Sequence, residues 1–262
     1  MSLIPPKLRA SAFYRMYNPV PPTYAGLFDG APLHFAPDVR MKLVPTDVLH
    51  GCIAMTGYYE WPLSQRVAEG GSGGGLLVDV GANVGYFTLL WAARGGRVIA
   101  FEASPRNLPL LRENVERNGL GDRVDVRGLA AGREDGFLEF DLGPDEQTGW
   151  GGFAAEKSEQ TVRVDVVPLD TAVGGEQHID LLKIDTEGAD AWVLEGAQTL
   201  LREKRIGEIR FEEHKPRAAA LGIKTGEVQQ MLRDHGYEVR ADSDPAKDQV
   251  DWVATPVGAA GS

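Results

Sequence analysis

The stretch VDVGANVGY, residues 78–86, decides the fold. It completes the apolar run LLVDV at 76–80, whose length and continuous hydrophobicity predict a strand buried on both faces of a parallel sheet. Helical spacing follows over 84–94. Glycines at 81 and 85 allow the backbone to turn tightly and approach a ligand, and the helix that follows presents free N–H groups. The stretch therefore predicts an α/β unit with a turn that binds a polar ligand.

The chain on the carboxyl side of this turn alternates strands and helices. Strands are predicted at 97–102, 124–130, 178–185 and 208–213, and helices at 105–118, 189–202 and 225–235. Ser104 is the predicted N-cap of the helix that Pro105 begins. Two antiparallel pairs are predicted, 137–142 with 161–169 and, at the end, 237–240 with 249–255. The pattern predicts an α/β fold: a doubly wound, mostly parallel sheet with terminal antiparallel strands.

Residues 1–75 differ from the rest because they are rich in proline and aromatic residues. We interpret them as an N-terminal accessory arm or cap that contributes to a ligand pocket or a homodimer contact, with residues 76–262 as the main domain. Asp29-Gly30 between apolar residues predicts a hairpin turn in this arm. The glycine-rich run at 70–75 predicts a flexible joint between the arm and the domain.

Composition narrows the classes of partner. The 262 residues include 27 Lys and Arg against 38 Asp and Glu, a net charge of −11, which disfavours nucleic-acid substrates. Cys52 is the single cysteine, so an internal disulfide or a multi-cysteine zinc site is excluded. The first residues contain no continuous apolar stretch, and no apolar run of about 18 residues occurs, so we expect neither secretion nor membrane spanning. We expect a cytoplasmic protein with no membrane partner.

Two acidic residues end the first two strands and define the ligand. The spacing G-x-x-x-G is not the dinucleotide fingerprint, and the carboxylate of Asp79 suits an ammonium group better than a pyrophosphate. Glu102 ends the second strand, where a carboxylate can accept from both hydroxyls of a ribose. S-adenosylmethionine, a nucleoside that carries an amino acid, has both the ammonium group that suits Asp79 and the ribose hydroxyls that suit Glu102. A nucleotide-dependent oxidoreductase and a non-catalytic cofactor-binding protein are the alternatives.

Several separate blocks resemble the FkbM family of S-adenosylmethionine-dependent methyltransferases. They are DVLHGCIAMTGYYE at 47–60, VDVGANVGYFTLL at 78–90, VIAFEASPRNLPLLRENVERN at 98–118, VPLDTAV at 167–173, LLKIDTEGADAWVLEGAQTLL at 181–201 and FEEH at 211–214. The resemblance implies a class I methyltransferase (Rossmann-like) fold and, as in many members, O-methylation of a hydroxyl on a sugar or a product of secondary metabolism. It also implies cofactor contacts around the methionine part, the ribose and the adenine, from Asp79, Gly81, Asn83, Gly85, Glu102 and Leu129.

Candidate catalytic residues follow the later strands, where ligands bind in doubly wound folds. Asp185 comes after the strand at 178–185, and Glu213 and His214 come after the next. His214 is the candidate general base, because an imidazole titrates near neutral pH. Asp185 would orient an acceptor hydroxyl or cap the next helix. We expect no metal, the alternative being a divalent ion held by Asp185, Glu213 and His214.

Substrate contacts are expected from three further places. Tyr59 and Glu60 offer an aromatic surface and a carboxylate to a hydroxylated small-molecule acceptor, and Glu187 follows the strand that carries Asp185. Lys183 would assist an anionic substrate or pair with a nearby acid. The irregular stretch 143–159 predicts a lid over the site.

Overall fold

The structure, a computed structural model, describes residues 4–16, 20–154 and 160–258. Its helices are α1 (Arg9–Met16), α2 (Val48–Thr56), α3 (Trp61–Gly71), α4 (Tyr86–Ala93), α5 (Leu108–Arg117), α6 (Leu169–Ala172), α7 (Asp190–Glu195), α8 (Gln198–Arg202), α9 (Lys215–Ala220) and α10 (Glu227–Asp234). Its strands are β1 (Asp29–Pro32), β2 (Arg40–Lys42), β3 (Leu76–Val80), β4 (Arg97–Phe101), β5 (Val124–Arg127), β6 (Ala130–Ala131), β7 (Gly136–Asp141), β8 (Gly152–Phe153), β9 (Thr161–Val167), β10 (Leu181–Ile184), β11 (Ile209–His214), β12 (Tyr237–Ala241) and β13 (Gln249–Pro256). No helix in these ranges has the length and apolarity needed to cross a lipid bilayer.

A seven-stranded sheet in the order β12-β13-β11-β10-β3-β4-β5 forms the centre of the fold. The strands from β11 to β5 pair in parallel, and β13 runs antiparallel to both β11 and β12. This arrangement confirms the predicted doubly wound, mostly parallel sheet with terminal antiparallel strands. The strand order reverses between β3 and β10, and ligands of such sheets bind at that reversal, beyond the carboxyl ends of the strands.

Each face of the sheet is covered by its own hydrophobic core. On one face, side chains such as Val80 and Ile184 pack with α7, α8 and α10. On the other face, Leu77 and Ala100 pack with α4, α5 and buried side chains of the N-terminal segment, among them Phe28, Met41, Ile53 and Val67. Buried side chains of the N-terminal segment between residues 28 and 67 therefore form part of the main core.

The two ends of the glycine-rich run are packed tightly, so the predicted flexible joint does not extend over the whole of 70–75. Gly70 and Gly71 are the last residues of α3, and a Cβ on Gly71 would lie 2.5 Å from the carbonyl oxygen of Trp91. A Cβ on Gly75 would lie 2.4 Å from the carboxyl carbon of Asp180. These glycines are there because neighbouring groups leave no room for a side chain.

Three local predictions also need correction. Asp29 lies inside β1, opposite Lys42 of β2, so the turn between these strands falls at 33–39 instead of at Asp29-Gly30. The helix predicted from Pro105 begins at Leu108, because a turn comes first in which the carbonyl oxygen of Ser104 accepts from the N–H groups of Asn107 and Leu108. The helix predicted over 189–202 is divided into α7 and α8 at Gly196, which passes too close to Gly132 for a side chain.

A second, four-stranded sheet in the order β6-β9-β7-β8 lies beside the first. The antiparallel pairing of β7 with β9 confirms the predicted pair at 137–142 and 161–169. β6 follows β5 after two residues and pairs in parallel with β9. The connection places Leu129, Ala130 and Ala131 at the carboxyl edge of the main sheet.

Candidate active site

A cavity of about 350 Å³ opens at the carboxyl ends of β3, β4, β10 and β11, the place that the strand order predicts. Its volume is in the range of small-molecule sites, roughly 300–1,000 Å³. Gly81, Asn83 and Glu102 line its side at β3 and β4, and Asp185, Glu187 and Glu212 line its side at β10 and β11. The main sheet, the second sheet and the N-terminal segment all contribute to its wall.

The two glycines of the first turn have different roles. Gly81 lines the cavity with φ +76°, and a Cβ on it would lie 1.9 Å from the carbonyl oxygen of Asp185. Gly85, with φ +92°, does not line the cavity, and a Cβ on it would lie 2.6 Å from Leu111 Cδ1. Gly81 thus joins the turn to the end of β10, and Gly85 allows α4 to pack on α5.

Asn83 and Glu102 form the polar part of this side. The backbone N–H of Asn83 donates to Glu102 Oε2 at 2.6 Å, and the N–H of Ser104 donates to Glu102 Oε1 at 2.8 Å. Burial raises the pKa of Glu102 to about 7. Asn83 Oδ1 is buried and has no partner within hydrogen-bond distance among the described residues; the nearby imidazole of His50, whose Nε2 is likewise unpartnered, interacts with the Asn83 side chain. A bound donor would satisfy that oxygen, and Glu102 has further lone pairs for hydroxyl groups.

Asp79 does not line the cavity, contrary to the expected contact with the methionine part. Its side chain is fully buried behind the glycine turn, where Oδ2 accepts from Thr88 Oγ1 at 2.6 Å. Lys183 Nζ lies 3.6 Å from Asp79 Oδ1 and 3.3 Å from Asp185 Oδ2. Burial alone would lower the pKa of Lys183, but Asp185 and Asp79 together raise it. Lys183 is therefore a fixed cation between two acids.

Carboxyl groups dominate the opposite side of the cavity. Glu187, at φ +55°, pairs with Arg217 at 3.2 Å, and Glu212 Oε2 accepts from Gln249 Nε2 at 2.7 Å. Burial and the neighbouring Asp185 raise the pKa of Glu187 to about 8 and that of Glu212 to about 9. Glu187 and Glu212 hold their protons near neutral pH, because a buried carboxyl group beside another acid resists ionisation.

Glu213 and His214 lie outside the cavity, which corrects their predicted position. Side chains of β11 alternate, so Glu212 lines the cavity while Glu213 is buried on the other face, where Oε1 accepts from the N–H of Gly226 at 2.8 Å. His214 is the last residue of β11 before α9, and burial and Arg217 lower its pKa. No cluster of three metal-ligating side chains occurs in the described part of the chain, so Asp185, Glu213 and His214 do not converge.

Glu212 is the site residue that the sequence reasoning missed. The signal was present in EIRFEE at 208–213, because apolar Ile209 and Phe211 alternate with Arg210 and Glu212. That period of two places Ile209 and Phe211 on one face and Glu212 on the opposite one. The predicted site residue Glu213 lies instead on the buried face, together with Ile209 and Phe211.

Tyr59 and Glu60, the two predicted substrate contacts of the N-terminal segment, lie in different cavities. Tyr59 lines the cavity, and its backbone N–H donates to Tyr86 Oη at 3.1 Å. Glu60 lines a smaller adjoining cavity of about 150 Å³ instead, together with Lys183 and Asp185. Burial, followed by Asp185, raises the pKa of Glu60 to about 7.

The predicted lid is described as far as Ala154, and residues 155–159 lie outside the described residues. Thr148–Trp150 form a short 3-10 turn, and Thr148, Gly149, Trp150 and Phe153 line the cavity. Trp150 is half-exposed. This part of the stretch is a wall of the site.

The raised carboxyl pKa values predict that the free energy of unfolding decreases by on the order of 2 kcal/mol from pH 7 to pH 9. The folded protein keeps protons on Glu187 and Glu212 that the unfolded chain has already released, so rising pH favours unfolding. The lowered pKa values of His50 and His214 act only below about pH 6.5. Thermal unfolding at pH 7, 8 and 9 measures the effect, and a midpoint that is constant or rises over this range contradicts it.

The sheet order, the cavity at its reversal point and the polar groups on its two sides define a class I, S-adenosylmethionine-dependent methyltransferase. The chain belongs to the FkbM methyltransferase family, because the family's methyltransferase FkbM domain matches residues 79–239. This result replaces the oxidoreductase alternative.

Known proteins similar to the chain agree with this assignment. It is 30% identical over 205 residues to the 31-O-demethyl-FK506 methyltransferase FkbM of Streptomyces tacrolimicus, covering 66% of this chain and 76% of that protein. It is 29% identical over 208 residues to the AMB antimetabolite synthetase AmbE of Pseudomonas aeruginosa, covering 63% of this chain and 10% of that protein. The crystal structure of methyltransferase FkbM from Methylobacillus flagellatus KT has the same fold, with a TM-score of 0.50 at 15% identity, over 94% of this chain and 60% of that one.

The residues on the glycine-turn side fit S-adenosylmethionine. The unpartnered Asn83 Oδ1 is an acceptor for an ammonium group, and Glu102 can accept from ribose hydroxyls. Leu129, beside Phe101 and Ala130, gives an apolar surface for a purine ring. The residues that would hold the cofactor are therefore Gly81, Asn83, Glu102 and Leu129, and we call this part of the cavity the cofactor side. Asp79 and Gly85 support the turn from behind.

Proposed function

We propose that the protein methylates a hydroxyl oxygen of a small molecule, a sugar or a secondary metabolite. The observation that carries the proposal is the group of carboxyl side chains opposite the cofactor residues, because an acceptor hydroxyl must lose a proton. The similar protein FkbM, a 31-O-demethyl-FK506 methyltransferase by name, supports oxygen as the acceptor atom. We include a cytoplasmic location in the proposal, supported by the lone, buried Cys52.

S-adenosylmethionine supplies an electrophilic methyl group when it is bound. The chain's own residues hold the acceptor and manage its proton. In this proposal Asp185 orients the acceptor by accepting a hydrogen bond from a second hydroxyl of it, and Tyr59 closes the adjoining wall. Gln249 holds Glu212 by Oε2, so that Oε1 of Glu212 is the atom that takes the hydroxyl proton. Correct placement of the acceptor contributes most of the rate, and the base adds to it.

The acidic residues on the acceptor side, the part of the cavity lined by Asp185, Glu187 and Glu212, also restrict the class of substrate. The nearest cations, Lys183 and Arg217, are already paired with acids. A phosphorylated or carboxylated acceptor would find no unpaired cation among these residues and would be repelled by each of the carboxyl groups that is ionised. We therefore propose a neutral or amine-bearing hydroxylated acceptor.

Methyl transfer to a panel of hydroxylated acceptors, followed with S-adenosylmethionine labelled in the methyl group, tests the function. With an accepted substrate, Glu212→Gln should lower kcat by about 100-fold or more because the base is lost. The wild-type rate should increase from pH 7 to pH 9 as the pKa of Glu212, about 9, is approached.

The matched control is Glu203→Gln, which removes the same charge from a half-exposed side chain outside the cavity. Its kcat should equal that of the wild type. Equal activity of Glu212→Gln and wild type would rule out Glu212 as the base. Cofactor binding without transfer to any acceptor would support a non-catalytic member of the family.

The homodimer contact expected from the N-terminal segment stays a prediction. Leu8, Met16 and Leu27 of that segment are about half-exposed, which is consistent with such a contact. Sedimentation measurements of the purified protein would decide between monomer and dimer.

A further inference from the structure

Asp47 joins two distant parts of the chain at the cavity wall. Its side chain is only 2% exposed. Oδ1 accepts from the N–H of His50 at 2.9 Å and so caps α2. Oδ2 accepts from the backbone N–H of Thr148 at 2.7 Å and from Thr148 Oγ1 at 2.9 Å. One buried carboxylate thus holds the N-terminal segment and residue 148 together.

Residues 147–149, which we call the roof, lie against the cofactor side of the cavity. The carbonyl oxygen of Thr148 accepts from Asn107 Nδ2 at 3.1 Å. A Cβ on Gly149 would lie 3.0 Å from Asn83 Nδ2. The roof therefore faces both the glycine turn and the beginning of α5, and all three of its residues line the cavity.

The contacts of Asp47 with the roof are buried, and a backbone hydrogen bond from the N–H of Val48 to the carbonyl oxygen of Glu146 lies beside them. Thr148 is 3% exposed, so both of its hydrogen bonds to the carboxylate are shielded from water. Hydrogen bonds to a buried charged group are stronger than neutral ones. By contrast, the ion pair of Arg106 with Asp145 beside the roof involves a carboxylate that is 80% exposed, and such pairs contribute little.

We propose that Asp47 is a positioning residue of the cofactor site, which acts through Thr148 to hold the roof over Asn83 and Asn107. The N-terminal segment thereby completes the site for the nucleoside and amino-acid parts of S-adenosylmethionine. Asp47 itself takes no part in the methyl transfer. The inference concerns the cofactor, so it does not depend on which acceptor the enzyme uses.

Asp47→Asn separates the two roles of this carboxylate. Asparagine caps a helix as well as aspartate does, so α2 is retained, but its amide nitrogen cannot accept from the N–H of Thr148. We expect the dissociation constant for S-adenosylhomocysteine, measured by calorimetry, to increase about tenfold. Amide hydrogen exchange at 146–151 should become faster, while exchange in β3 and β4 stays as in the wild type.

Two further variants make the test decisive. Thr148→Val removes only the hydroxyl contact, should weaken binding by about threefold and serves in place of Asp47→Asn if that variant does not fold. Lys42→Met is the matched control, since Lys42 ties the same segment to α5 through Glu113 at 2.8 Å and neither residue lines the cavity. Its affinity should equal that of the wild type.

Unchanged affinity in both Asp47→Asn and Thr148→Val would overturn the proposal, as would an equal loss in Lys42→Met. Failure of the wild-type protein to bind S-adenosylhomocysteine would overturn this inference and the cofactor assignment together. Failure to find a hydroxyl acceptor, with the binding differences intact, would contradict only the proposed O-methylation.

Discussion

Gly81→Ala should lower the free energy of unfolding by about 2–5 kcal/mol, because a strained backbone angle and a steric clash are combined at one residue. At φ +76° a side chain is disfavoured in any surroundings. Here the added Cβ would also lie 1.9 Å from the carbonyl oxygen of Asp185. Either the turn or the end of β10 must move, and both line the cavity. Thermal unfolding should show a midpoint about 5–15 °C below that of the wild type.

Gly74→Ala is the matched control for this prediction. Gly74 has nearly the same backbone angle, φ +73°, but no atom lies within 4 Å of the position of its Cβ. This variant should lose only the cost of the backbone angle, about 1 kcal/mol. The difference between the two variants measures the clash with Asp185. Similar midpoints for the two would show that the close approach of the turn to β10 contributes nothing to stability.

Glu102→Gln should weaken binding of S-adenosylhomocysteine by about 10- to 100-fold, since a charged acceptor of ribose hydroxyls is lost. Glutamine also leaves one of the two N–H groups of Asn83 and Ser104 without its acceptor. The pKa of Glu102, about 7, adds a pH effect. Wild-type affinity should increase as pH rises through 7, because the ionised form accepts hydroxyl hydrogen bonds more strongly. Calorimetric titration at pH 6, 7 and 8 measures both effects.

Glu116→Gln removes the same charge from an exposed position on α5 and serves as the control. Its affinity and pH dependence should be those of the wild type. If Glu102→Gln kept the wild-type affinity, Glu102 would not contact the ribose, and its role would be limited to holding the turn through the N–H group of Asn83.

The sequence was sufficient to predict the sheet and the cofactor side of the cavity. A strand that is buried on both faces needs a continuous apolar run, and a helix packed on the sheet needs helical spacing of its apolar residues. These two patterns predicted β3, β4, β10 and β11 correctly. Gly81, Asn83 and Glu102, predicted from the glycine turn, the end of the second strand and the resemblance to the FkbM family, line the cavity. The resemblance to the FkbM family agreed with both.

The errors came from contacts between segments that are distant in the sequence. Nothing near Asp79 in the chain indicates that Lys183 lies beside it and that both are buried behind the turn. The glycines at 70–75 have the composition of a linker, and only the positions of Trp91 and Asp180 reveal that Gly70, Gly71 and Gly75 are needed for close packing. His214 is predicted as the base because an imidazole ordinarily titrates near neutral pH. In the structure β11 ends at this residue and its side chain lies outside the cavity.

The position of β13 has a consequence for how the chain folds during its synthesis. This strand lies between β11 and β12, yet it is made after every other strand of the sheet. Until it leaves the ribosome, β11 has an unpaired edge next to Glu212, and Gln249, the first residue of β13, is not there to hold that side chain. A nascent chain that already contains the complete cofactor side of the cavity therefore still lacks part of the acceptor side.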